Sequence, residues 1–114
     1  MEKTMNKVEL NGYVGSDPEV KTLENGSKMA RFAVATDEYH KNKAGEWVKD
    51  TTWHSVVVWN SKAEEASECL HKGTRVSLFG RLRNRQYVDK QGIIRSITEV
   101  IAGHFEPIEP LQAA

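Results

Sequence analysis

The chain has one cysteine, Cys69, among its 114 residues, so no disulfide can form within it. A reducing compartment is the setting to expect. No apolar run approaches the ~20 residues that a membrane-spanning helix needs. The opening Met1-Glu-Lys-Thr carries an acid where a secretory signal has its apolar stretch. Both absences point to the cytoplasm. Excess charge is lacking too, with 16 Lys and Arg against 16 Asp and Glu. That balance counts against a nucleic-acid partner unless the charges are unevenly placed. There is no internal repeat and no low-complexity linker, and the length suits one domain with one modest core. Catalytic constellations are scarce. His40, His54, His71 and His104 show no metal-ligand spacing with one another or with Cys69. No G-x-S-x-G and no glycine-rich phosphate loop occurs. Cys69, between Glu68 and Leu70 on a predicted helix, reads as an inert thiol. No enzyme activity, metal or cofactor is expected.

What is present alternates with the period of strands. Val8, Leu10, Gly12 and Val14 interleave with polar neighbours, which predicts a half-buried strand over Asn6 to Val14. Ser16-Asp-Pro18 marks a turn, and Glu24-Asn-Gly26 a hairpin, because Asn and Gly tolerate positive φ. Lys28 to Thr36 is the second strand. The polar, lysine-rich stretch from Asp37 to Asp50 reads as a long mobile hairpin, and Thr51 to Trp59 as the third strand. Ser61 and Glu64 then have capping-box spacing, Ala63, Ala66 and Leu70 fall at helical spacing, and Gly73 is the stop. Thr74 to Tyr87 and Ile93 to Phe105 complete the set, with Asp89 to Gly92 turning between them. Pro107 and Pro110 end the folded part, so the domain is expected over residues 1–106 with a short extension at 107–114. The order β-β-β-α-β-β predicts an all-β fold with one short helix. Closure into a five-stranded Greek-key barrel, the OB-fold, removes the exposed edges.

Charge and aromatics gather on two of these strands. Arg81, Arg83, Arg85, Lys90 and Arg95 face only Asp89 within residues 81–95, a net of +4, whereas the helix carries Glu64, Glu65 and Glu68 against Lys62. In the fourth strand Val76, Leu78, Gly80 and Leu82 share the expected core face, and the other face holds Phe79, Arg81, Arg83, Arg85 and Tyr87. The three arginines span roughly 13 Å, a spacing that suits a phosphodiester backbone. In the third strand Trp53, Ser55, Val57 and Trp59 share a face, opposite His54, Val56 and Val58. A lone strand tryptophan is more often core, and a lone arginine stripe more often a solvated face. Together on one small barrel they form a stacking platform beside an anion groove, whose contacts do not depend on base identity.

The runs NKVELNGYVGSDPEV from Asn6 to Val20, FAVAT from Phe32, TWHSVV from Thr52, ASECLHKG from Ala66 and GRLRNR from Gly80 resemble those of bacterial single-stranded-DNA-binding proteins. The likeness covers about Asn6 to Ala102, with five motifs in order. It implies an OB-fold homotetramer, in the bacterial nucleoid, that binds and protects single-stranded DNA in replication, recombination and repair. Trp53, Trp59 and Tyr87 fall at base-stacking positions of that family. Lys7, Lys21, Lys43, Lys72, Arg83, Arg85 and Arg95 fall at phosphate positions, and Arg81 joins them through the arginine stripe. His54 matches a histidine of the subunit interface. A further family tryptophan aligns at or beside Tyr39 and His40, where either residue, or Trp47 on the same hairpin, is the substitute stacking group. The family commonly continues into a flexible tail with an acidic tip that recruits replication and repair proteins. The sequence here stops at Leu111-Gln-Ala-Ala114, so recruitment through such a tip is not expected of it. A protein-interaction module on the same fold, such as a primosomal accessory protein, is the alternative. An OB-fold nuclease would need clustered carboxylates near an arginine, and the sequence offers no such set.

Overall fold

Seven elements occupy residues 3–108, the part that the computed structural model describes. They are β1 (Val8–Val14), β2 (Glu19–Thr22), β3 (Lys28–Lys41), β4 (Trp47–Trp59), α1 (Ser61–Cys69), β5 (Arg75–Val88) and β6 (Ile94–Ile108). The five expected strands are all present in the expected order around one helix. The addition is β2, four exposed residues paired antiparallel to β3 across the Glu24-Asn-Gly26 turn, where Gly26 has φ 86°.

The strands pair in the order β1-β5-β6-β4-β3, and β1 returns to β3 through Tyr13↔Ala35 and Val14↔Val34. That last pairing closes a five-stranded barrel and leaves β2 outside it. The closure between β4 and β6 is parallel, through Val56↔Val100 and Val57↔Ile101. Inside sit Val14, Ala30, Phe32, Val34, Val56, Val58, Val76, Leu78, Val100, Ala102 and Phe105. Ala63 and Ala66 of α1 and Leu70, which caps its C-terminus, are fully buried in the same cluster, so the helix packs on the barrel core through small side chains that allow close approach.

Gly12 and Gly80 are where strands approach most tightly. A Cβ on Gly12 would lie 2.2 Å from the Ala35 carbonyl oxygen, and one on Gly80 would lie 2.1 Å from that of Ile101. Both obstacles are backbone, which cannot swing aside. Gly12→Ala is therefore expected to destabilise the fold by about 1–3 kcal/mol, read as a lower midpoint in urea at unchanged slope. A midpoint equal to that of the parent protein would show that the barrel seam relaxes freely.

Four expectations differ from what is observed. The β3–β4 ladder runs unbroken from Met29↔Trp59 to Lys41↔Trp47, so both strands reach several residues into the stretch expected as a mobile hairpin. The capping box does not form. Asn60, at φ 54°, precedes the helix with no side-chain cap bond, and Glu64 instead takes Lys28 Nζ at 2.5 Å. Leu82, assigned to the core face, is 47% exposed because β5 has left the barrel by that point. There its amide and carbonyl bond the Asn6 side chain at 2.8 and 2.7 Å. Finally, β6 continues through Pro107, opposite Val76, to Ile108, two residues past the expected boundary; Pro110 and the rest of the extension lie outside the described residues.

Candidate nucleic-acid interface

Alternation along β3 and β4 decides which side chains reach the surface. Partners in the ladder share a face, so Arg31↔Val57, Ala35↔Trp53, Tyr39↔Lys49 and Lys41↔Trp47 all point the same way, outward from the barrel. Trp53 is 61% exposed, Tyr39 and Trp47 are also exposed, and Trp59 is half-buried. The Trp53 ring lies against the backbone of Gly15, where a Cβ would come within 2.3 Å of it. Lys41 Nζ stands 5.3 Å from the Trp47 ring centroid. His40 is on the opposite face of the ladder, 3.1 Å from Asp50, and so is turned away from these rings. His54 is half-buried on that inner side, its Nε2 2.9 Å from Thr36 Oγ1.

Two open grooves adjoin on the outward face. One holds Trp53 with Ser16, Glu19, Arg31 and Ser55. The other holds Trp59 with Lys21, Arg31, Arg83, Arg85 and Glu99. Trp59 thus meets the arginine strand directly, whereas Trp53 reaches it only by way of Arg31. Tyr87 lies further along β5, half-exposed, with the Arg85 guanidinium 5.8 Å from its ring centroid. In contrast, Tyr39 lies toward β1, in a third concavity with Tyr13 and Arg75.

At the floor of the Trp59 groove sits Glu99, a carboxylate only 2% exposed. Its Oε1 accepts from Arg85 Nε at 2.7 Å and its Oε2 from Arg31 Nη2 at 2.9 Å. Burial pushes the Glu99 carboxyl up, but the hydrogen bonds and charges of Arg85 and Arg31 together outweigh it, and the group titrates below its ordinary value of 4.5. The triad keeps one net positive charge. Neither Glu99 nor Arg31 stood out in the sequence. Glu99 lies beside the apolar Val100 and Ile101, and Arg31 is a single charge among core residues.

The other basic candidates divide by their partners. Arg95 is tied to Asp89 at 2.7 Å; that bond, followed by one from the Ile93 amide, holds the Asp89 carboxyl below its usual range. Lys7 pairs with Glu9 at 3.1 Å. Among the described residues no carboxylate lies within ion-pair distance of Lys21, Lys43, Lys72, Arg81 or Arg83. Arg81 and Arg83 follow one another on the outer face of β5, while Lys21 stands at the Trp59 groove. Lys43 is at the tip of the β3–β4 hairpin and Lys72 in the turn before β5, both away from the two grooves. Around the two grooves the arrangement offers flat π faces, fixed guanidinium donors and the unpaired ammonium of Lys21 on one open surface. Among the described residues no group of three or more His, Cys, Asp or Glu could hold a metal ion, and no helix is long and apolar enough to cross a membrane.

Comparison with known proteins points to one family. Residues 5–108 match the model of the single-strand binding protein family. Single-stranded DNA-binding proteins of Neisseria meningitidis serogroups A and B are each 38% identical over 103 residues, covering 90% of this chain and 59% of the relative. The chain therefore spans about three fifths of the length of these curated relatives. A solved Plasmodium falciparum SSB complex with ssDNA superposes with a TM-score of 0.83 at 33% identity, covering 96% of this chain and 99% of that one.

Proposed function

The chain belongs to the single-strand binding protein family, and on that premise we propose that it binds single-stranded DNA without sequence preference, protecting it during replication, recombination and repair. Bases stack on Trp53, Trp59 and Tyr87, with Tyr39 and Trp47 extending the track along the β3–β4 hairpin. Phosphates are neutralised chiefly by Arg81, Arg83 and Lys21, with Lys43 and Lys72 serving a strand that runs on past the grooves. Arg95 contributes less than its position in the sequence promises, because Asp89 neutralises it one to one, whereas Arg85 shares the single charge of Glu99 with Arg31 and keeps its Nη groups for a phosphate. The observation that carries this reading is the outward placement of Trp53 and Trp59 on one strand, in adjoining grooves that share an arginine. Every base has a π face, so such a surface grips the strand whatever its sequence.

A homotetramer accompanies the reading, with His54 near the subunit contact, where its bond to Thr36 fixes the ring. Light scattering that returned the mass of a monomer would dispose of that part alone.

Tryptophan emission is expected to fall on titration with oligo-dT, and the logarithm of the affinity to fall linearly with the logarithm of salt, by about 0.7 in slope per phosphate neutralised. Emission unchanged at low salt would rule the function out. Capture of a replication protein together with weak DNA binding would favour the interaction-module reading, and cleavage of the oligonucleotide with Mg²⁺ would favour a nuclease.

A further inference from the structure

Arg31 occupies a place that neither the arginine stripe of β5 nor the aromatic strand explains. Among the described residues it is the one charged side chain that lines both the Trp53 groove and the Trp59 groove. We propose that Arg31 is a phosphate-binding residue that bridges the two stacking sites, held in place for that task by Glu99. The inference rests on the DNA-binding reading above and adds a contact residue and a path to it.

The hydrogen-bond inventory shows what Arg31 has left to give. A guanidinium carries five N–H donors. Arg31 commits one, from Nη2, to Glu99 Oε2 at 2.9 Å. Its Nε is buried without a partner, while the side chain as a whole is 36% exposed. Nη1 and the second hydrogen of Nη2 are therefore the donors available toward solvent. Arg85 is held in the matching way through Nε by the other oxygen of the same carboxylate, so its two Nη groups are likewise uncommitted to Glu99. One buried carboxylate thus fixes two guanidiniums side by side and leaves an excess of one positive charge between the tryptophans. A donor whose orientation is set beforehand loses little side-chain entropy on meeting a phosphate. A strand stacking one base on Trp53 and another on Trp59 has its backbone carried over this point.

The test is a salt titration of oligo-dT binding for Arg31→Met, Arg31→Lys and the parent protein, followed by tryptophan emission. Arg31→Met is expected to bind about tenfold more weakly at 0.1 M salt, with a log–log slope shallower by about 0.7, the equivalent of one phosphate. Arg31→Lys is expected to restore the slope, because it keeps the charge. Full quenching at saturation should survive in both, since the aromatic groups remain. Should Arg31→Met fail to fold with Glu99 left half-paired, Glu99→Gln is compared with the Arg31→Met/Glu99→Gln double variant, and the same drop in slope between those two is expected. An unchanged slope in a folded protein lacking Arg31 overturns the inference while leaving the wider function intact. Absence of quenching in the parent protein would instead remove the function itself.

Discussion

Trp53→Ala is expected to weaken the binding of oligo-dT by about 1–3 kcal/mol, roughly five- to 150-fold in affinity, with no loss of thermal stability. The expectation follows from where the ring is. At 61% exposed it adds little to the core, and its ring lies on the surface against the backbone at Gly15. Removing it deletes a stacking face without opening a cavity. Trp59→Ala is a different experiment, because that ring is half-buried against Met29 of β3 and the Glu99 triad. Its loss is expected to lower affinity and stability together. Affinity unchanged by Trp53→Ala, in a protein with parental thermal midpoint, would take Trp53 out of the binding surface and leave Trp59 and Trp47 to carry the stacking on β4.

Glu99→Ala is expected to destabilise the protein by about 3 kcal/mol, the low end for breaking a buried ion pair, since both arginines retain partial access to water. The loss should depend on pH in a definite direction. The Glu99 carboxyl is held below its ordinary value of 4.5 in the folded protein, so the folded state binds its proton less readily than the unfolded chain does. Its contribution is complete above the ordinary value and fades as pH falls through the lowered one. The stability gap between the parent protein and Glu99→Gln, measured by urea unfolding, should accordingly narrow below about pH 4.5. A gap that stays constant from neutral to acid pH would mean that the ionised carboxylate is not what holds the two arginines.

These two residues also mark how far the sequence could be read. Trp53 was legible because strand alternation needs only the spacing of Trp53, Ser55, Val57 and Trp59, and the ladder with β3 kept that alternation unbroken. The helix was legible because Ala63, Ala66 and Leu70 repeat at its period, and all three are fully buried. Its cap was not. Glu64 has a second suitor in Lys28, which lies distant in the chain and beside it in space. The same kind of reason hid Glu99. On β6 it reads as an acid beside the apolar Val100 and Ile101, and only the pairing of β6 with β5 and the proximity of β3 put two arginines on it. Leu82 failed in the opposite way. Its alternation is correct, but the barrel it should face ends before it, and alternation carries no information about where a neighbouring strand stops. Contacts along one strand or between ladder partners could thus be inferred, and contacts that depend on how the barrel closes could not.

The length of the β3–β4 ladder has a mechanical outcome. Beyond Ala35 and Trp53, among the described residues, none of the rungs out to Lys41 and Trp47 pairs with a third strand. Two-stranded ribbons twist more and hold together less firmly than wider sheets. Tyr39 and Trp47 are therefore mounted on a springy arm, whereas Trp53 sits at its root against a closed frame. Backbone amides near the tip should exchange with solvent faster than those at Val34 or Val56. A strand anchored at the root can be met by the arm at more than one curvature, so the length of DNA gripped is set by bending as well as by chemistry.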